Sequence, residues 1–258
     1  MRVRKTRLVA FDLDDTLAPS KTAITPRMAD LLVRLLGVVE VCVISGGQFG
    51  QFESQLVANL PLDHPDALTR LHLMPTCGTQ YYLFQDGGWV QQYAENLTEE
   101  QKTAALAAVE SEARRLGLWE PANSGTEIWG PILEDRGSQI TFSALGQSAP
   151  VDAKKAWDPT GEKKNSLRAA VEPLLPDLEV RSGGSTSVDI TRRGIDKAYG
   201  MRKLAELTGI PFEDMLFVGD RLDPDGNDFP VIALGIPTHA VEGWEDTAEF
   251  VEEFLATR

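Results

Sequence analysis

Residues 11–17 read FDLDDTL, so Asp12, Asp14 and Asp15 stand within four positions, directly behind the apolar run Leu8-Val9-Ala10-Phe11. Like charges crowded at the end of a strand destabilise a fold unless a cation or a proton offsets them. A second acidic stretch, GDRLDPDGND, runs from Gly219 to Asp228 behind the apolar residues 215–218. Between the two lie Ser45-Gly46-Gly47, behind another apolar run, and Lys197 at the start of an expected helix. Two strand-end carboxylates, Asp12 and Asp220, suit Mg²⁺, a hard cation that takes a few protein oxygens and keeps places for water and phosphate. A carboxylate at such a place can attack phosphorus and form an aspartyl-phosphate, which makes Asp12 the candidate nucleophile. Asp14, two positions on, can protonate the leaving oxygen and later activate water. Ser45 and the N–H groups of Gly46-Gly47 suit phosphate oxygens, and Lys197 supplies a cation for the charge gathered in phosphoryl transfer. GDRLDPDGND lacks the ligand spacing and closing glutamate of an EF-hand, which excludes that kind of calcium loop.

The elements that position these groups alternate. Leu8–Phe11 reads as a buried strand. Thr25-Pro26 opens a helix, threonine as N-cap and proline at its first position. Met28, Leu31, Leu32, Leu35 and Leu36 follow helical spacing, and Gly37 stops it. Residues 38–44 form the next strand and 48–58 the next helix. This strand–helix alternation predicts a parallel α/β sheet, whose ligands bind beyond the carboxyl ends of the strands. After residue 83 the pattern changes. Asp86-Gly87-Gly88 turns a hairpin, Thr98 opens a helix over 98–116 with a capping box, and 126–133 and 138–145 read as strands about Arg136-Gly137. Residues 146–162 read as loop, 163–175 as helix, and 178–181 and 187–191 as strands. The α/β alternation resumes with a helix over 196–207 stopped by Gly209, a strand over 215–218, a short strand within 236–241 and an amphipathic helix over 244–256. The expected organisation is a core of residues 1–84 and 187–258 with an α+β insert at 85–186.

The bulk composition narrows the function classes. Asp plus Glu number 39 against 25 Lys plus Arg, a net charge of -14, which argues against nucleic acid or an anionic membrane as partner. The two cysteines, Cys42 and Cys77, have no CxxC or Cys/His neighbours, so neither zinc nor a disulfide framework is expected, which suits the cytoplasm. No apolar run is long enough to span a bilayer, and the four apolar residues before Asp12 are too few for a signal peptide.

With DLDDT, Ser45, Lys197 and GD…ND in this order, the chain resembles the haloacid dehalogenase superfamily of aspartate-nucleophile phosphotransferases. The placement of the insert resembles a C2 cap, and DLDDTLAPSKTAIT and GGSTSVDITRRGIDKAYG resemble the eukaryotic-type phosphomannomutase branch. The resemblance implies a Rossmann-like core carrying Asp12 as nucleophile and Mg²⁺ ligand, Asp14 as acid/base and backbone-carbonyl ligand, and Asp220 as a further ligand. It makes Thr16 and Ser45 phosphate-contacting hydroxyls and Lys197 the stabilising lysine. Asn227 and Asp228 would hold metal waters and Lys197. Ser187 and Asp189 match sugar-contacting residues, and Arg136 matches one of the arginines that grip the distal phosphate of a sugar bisphosphate.

There the chain departs from its branch. Lys21 and Gln147 stand where two other gripping arginines are expected, and Lys154 falls near a third. Arg-to-Lys is not neutral at a bidentate phosphate site, and Arg-to-Gln removes the charge. The expectation is therefore a Mg²⁺-dependent phosphatase of a small phosphorylated metabolite, a sugar phosphate in substrate class, with a hexose-phosphate mutase as the alternative and an inactive binding module as a remote one. The branch includes cap-mediated homodimers, which leaves a homodimer open.

Overall fold

The computed structural model describes residues 6–61, 65–119, 127–183 and 186–258. In chain order the first elements are β1 (Leu8–Phe11), α1 (Pro26–Leu36), β2 (Glu40–Ile44), α2 (Phe49–Gln55), α3 (Pro65–Leu68), β3 (Leu71–Met74), β4 (Gln80–Gln85) and β5 (Gly88–Ala94). Next come α4 (Glu99–Arg115), β6 (Leu133–Asp135), β7 (Gln139–Ser143), α5 (Val151–Trp157), α6 (Glu162–Val171), β8 (Leu178–Ser182) and β9 (Ser187–Arg192). The chain finishes with α7 (Lys197–Thr208), β10 (Met215–Gly219), α8 (Phe229–Ile232), β11 (Thr238–Ala240) and α9 (Trp244–Ala256). It divides into two units, residues 1–94 with 195–258, and residues 95–194.

The first unit holds a sheet in the order β11-β10-β1-β2-β3-β4-β5, parallel except where β4 and β5 run antiparallel. Alternate residues of each buried strand serve opposite faces. Val9, Phe11, Val41, Val43, Leu216 and Val218 pack with α1 and α9, while Leu8, Ala10, Cys42, Ile44 and Phe217 pack with Met201 and Leu204 of α7. α1 begins where Thr25 Oγ1 accepts the Met28 N–H at 3.2 Å, and its buried Met28, Leu31, Leu32, Leu35 and Leu36 form one stripe. Burying each such side chain stabilises the fold by about 1.5–3 kcal/mol. In the middle of the sheet Phe11 is in register with Val43 on one side and Val218 on the other, so Asp12, Ser45 and Asp220 all emerge at the same end.

The second unit is an antiparallel sheet in the order β6-β7-β9-β8. One face is apolar: Ile140, Phe142, Val180, Val188 and Ile190 pack against Val109 of α4 and Leu167 of α6. The other face carries Gln139, Thr141, Ser143, Ser187 and Asp189.

Several expectations need correction. The crossings lie at 94/95 and 194/195 rather than 84/85 and 186/187. β5 pairs with β4 and extends the first sheet, and β9 pairs with β7 and β8 inside the second. Residues 146–162 are not all loop, because Pro150 starts α5. In the strand expected over 126–133, residue 126 lies outside the described residues and regular pairing begins only at Leu133, beyond Gly130 and Pro131. Among the described residues no helix is long and apolar enough to cross a membrane.

Candidate active site

Three carboxylates and one ammonium meet at the end of the central strands. Asp12, Asp220 and Asp228 each place a carboxylate oxygen within 4.8 Å of the others. Lys197, fully buried as the first residue of α7, lies 2.8 Å from Asp12 Oδ1 and 2.5 Å from Asp228 Oδ1. Its helix is fixed by Asp196, whose side chain accepts the Tyr199 N–H at 2.8 Å. Two glycines let α7 approach: a Cβ on Gly200 would stand 2.7 Å from Cys77 O, and one on Gly78 2.6 Å from Gly200 Cα. Gly219 serves Asp228 in the same way, since a Cβ there would overlap Asp228 Oδ2. Asp228 Oδ2 also accepts the Arg221 N–H at 3.1 Å, and Thr16 Oγ1 donates to Asp220 Oδ1 at 3.3 Å.

The charges do not balance within the protein. Burial pushes the Asp12 carboxyl up to about 8 against the pull of Lys197, with Asp228 and Asp220 adding to the rise. Asp220 is also raised, by burial and then by Asp228. Burial alone would lower the Lys197 ammonium, but Asp12 and Asp228 outweigh it and hold it charged. Three hard carboxylates about one ammonium leave room for further positive charge, and an oxygen donor set of this kind fits a divalent cation such as Mg²⁺.

The other positions expected at this end fall into two groups. Ser45 is buried, and its Oγ accepts the Gly47 N–H at 3.2 Å. A Cβ on Gly46 would meet nothing within 4 Å, so that side of the loop faces open space. Asp14 does not join the carboxylate cluster's bonds. It accepts from the Lys21 N–H at 2.8 Å, Gln51 Nε2 at 2.9 Å and Gln55 Nε2 at 3.2 Å. Burial would raise its carboxyl, yet Lys21 and the two amides hold it below the usual carboxylate range. Asp15, given no chemistry by its sequence position, shapes the loop: at φ 58° its N–H reaches Ala18 O and its Oδ1 accepts the Ser20 N–H. Asn227 is exposed, and among the described residues no hydrogen bond ties it to the cluster. Gln51 and Gln55 were not singled out by sequence; their i, i+4 spacing on α2 was the available signal.

In the second unit Gln147 is a hub. Its Oε1 accepts from Arg136 Nη2 at 3.1 Å and its carbonyl from Lys154 Nζ at 3.2 Å. Arg136 is largely engaged already, its Nε donating to Glu134 Oε2 at 2.6 Å with both side chains mostly buried. On the polar face of the sheet Asp189 Oδ1 accepts from Thr141 Oγ1 at 2.8 Å and Gln139 Nε2 at 3.0 Å, and Ser187 lies two residues before it on β9. Glu134, Gln139 and Thr141 were also missed by sequence: Glu134 stands two residues before Arg136, while Gln139 and Thr141 meet Asp189 only through the pairing of β7 with β9.

A search of known families matches residues 28–257 to the eukaryotic phosphomannomutase family. The chain belongs to that family. A probable phosphomannomutase of Caenorhabditis elegans is 27% identical over 96% of this chain and 95% of its own length. Human phosphomannomutase 1 is 26% identical over 98% and 94%. Among solved structures, a haloacid dehalogenase-like hydrolase from Bacteroides thetaiotaomicron superposes with a TM-score of 0.63 at 16% identity, covering 96% of this chain and 99% of that one. An IMP-nucleotidase of Plasmodium falciparum gives 0.72 at 13% identity, covering 98% of this chain and 63% of that one. These likenesses carry the fold: this phosphomannomutase-family chain has the α/β architecture of the haloacid dehalogenase superfamily with an inserted α+β domain.

Proposed function

We propose that the protein is a Mg²⁺-dependent phosphohydrolase that acts on a small sugar phosphate through an aspartyl-phosphate at Asp12. Asp12, Asp220 and Asp228 would hold the ion, which when bound neutralises phosphoryl charge and offsets repulsion among the carboxylates. Asp12 attacks phosphorus in line with the leaving oxygen. Lys197 favours the ionised form of Asp12, which the bound ion would complete, holds it in place, and balances charge on the transferring group. Thr16, Ser45 and the Gly46-Gly47 loop hold phosphate oxygens. Asp14, ionised in the free protein, takes up a proton as phosphate charge binds beside it, gives it to the departing alcohol, then takes one from the water that clears the acyl phosphate.

The observation that carries hydrolysis over mutase chemistry is the engagement of Arg136 by Glu134, with Gln147 beside it. A mutase must grip a second phosphate, and a neutral amide plus an arginine already paired supplies little free charge for it. The mutase reading is favoured by the family match over residues 28–257. Phosphate release from a panel of hexose phosphates with Mg²⁺, alongside conversion of mannose 1-phosphate to the 6-phosphate with a bisphosphate activator, separates them. Hydrolysis lost in Asp12→Asn is expected. Isomer conversion without net phosphate release would give the site to the mutase instead.

A further inference from the structure

Gln51 and Gln55 bind Asp14 in a way that packing does not explain. They stand one turn apart on α2, so both amides reach the same loop. Lys21 Nζ donates to Gln51 Oε1 at 2.5 Å, and an ammonium can only donate. The Gln51 amide is thereby fixed, oxygen toward Lys21 and NH₂ toward Asp14 Oδ2. Gln55 Nε2 donates both to Asp14 Oδ1 and to Thr22 O at 2.8 Å. Turning that amide over would set its oxygen against two acceptors. In the orientation it keeps, Gln55 Oε1 is buried without a hydrogen-bond partner, and the residue is only 2% exposed. A buried carbonyl left uncompensated in this way asks for a functional account. Gly47 is the third part: a Cβ there would overlap Gln51 Oε1, so the glycine makes the space through which Gln51 reaches Asp14.

We propose that Gln51 and Gln55 are the positioning residues that aim the Asp14 carboxyl at the leaving oxygen, with Lys21 orienting the Gln51 amide and Gly47 giving it room. Lys21 then belongs to this clamp and not to a grip on a distal phosphate. The step served is one proton transfer. As the P–O bond to the alcohol breaks and the bond from Asp12 to phosphorus forms, the proton that Asp14 takes up when the phosphate binds passes to the alcohol oxygen. Asp14 recovers a proton from the water that then releases phosphate. The inference rests on the phosphohydrolase reading.

Acid catalysis matters for an alkoxide leaving group and little for p-nitrophenolate, which gives a readout that a structural role would not move. Turnover with Mg²⁺ is measured on glycerol, hexose, phenyl and p-nitrophenyl phosphates for the wild type, Gln51→Leu, Gln55→Leu and Gly47→Ala, each checked for folding by its melting curve. The alkyl esters should lose roughly 10- to 100-fold in kcat, with a loss on p-nitrophenyl phosphate about tenfold smaller. Asp14→Asn should show the same split, and adding Gln51→Leu to it should leave the ratio unchanged. Gly47→Ala displaces Gln51 without altering it and serves if a leucine variant does not fold; because Gly47 also lies in the phosphate-holding loop, it is read only by whether the ratio between esters changes. A uniform loss across the esters, or an unchanged ratio in folded variants, overturns the inference alone. A wild type that turns over no ester removes the phosphohydrolase reading and the inference with it.

Discussion

Lys197→Met removes the one ammonium from a buried carboxylate cluster, and its consequence can be worked from the neighbours that remain. Asp228, with no exposed surface, would keep the Arg221 N–H, and Asp12 would keep the Leu13 N–H at 2.8 Å. Neither contact carries a full counter-charge. Stripping one partner from a buried ion pair destabilises by about 3–5 kcal/mol. At roughly 2–4 °C per kcal/mol for a chain of this size, the melting temperature should fall by about 10 °C. Melting is followed at pH 8 in chelator for wild type and variant, then with Mg²⁺, then at pH 5. The gap should narrow with Mg²⁺, because an ion bound only by the folded state stabilises it by mass action. It should also narrow at pH 5, where the carboxylates take up protons in place of the lost ammonium. Methionine nearly matches lysine in length, so the deficit reports charge and not a cavity. A variant melting within about 2 °C of the wild type in chelator at pH 8 would refute the claim that Lys197 holds this cluster together.

Three further outcomes follow from the geometry. The folded Asp12 carboxyl lies at about 8, above its ordinary 3.8, so the stability it contributes is full below the lower value and lost as pH rises through the upper one. Chelated protein should therefore lose melting temperature from pH 5 to pH 8, and Mg²⁺ added near pH 7 should release protons, seen as acidification of a weakly buffered solution. Gly200→Ala places a Cβ 2.7 Å from Cys77 O, and the displaced helix should lower melting by several degrees and cut turnover by displacing Lys197, as read by calorimetry and the phosphate-release assay. Glu134→Gln leaves Arg136 without its carboxylate, and inhibition by a hexose bisphosphate should tighten by roughly threefold.

What could be read in the sequence was local. Thr25-Pro26 and the leucine spacing announced α1, and FDLDD with GDRLDPDGND announced the carboxylates, because each signal lies within a turn or a strand. β3 was hidden in LHLM, four residues whose burial on both faces leaves no alternation. The place of β5 in the first sheet is a matter of which edge it pairs with, and no composition change marks it. The Asp14 clamp was out of reach for the same reason. Its glutamines lie 37 and 41 residues beyond Asp14, and only the parallel pairing of β1 with β2 brings α2 back over the first loop. Arg136 is expected from the resemblance to grip a phosphate, and its pairing with Glu134 needed the strand geometry of β6.

The order of the strands sets a schedule on the chain's own synthesis. β1 leads the sequence, yet it lies between β2 and β10, and β10 is made more than 200 residues later. The second unit, by contrast, is one continuous stretch from residue 95 to 194. During translation the insert can therefore be completed while the sheet that bears Asp12 still lacks a central neighbour. Lys197, Asp220 and Asp228 all emerge after it. A chain cut short before Gly219 carries Asp12 and Ser45 but not the full charge set around them, so premature products of this gene are built unable to form the cluster. The charge set around Asp12 is complete only once Asp228 has been added.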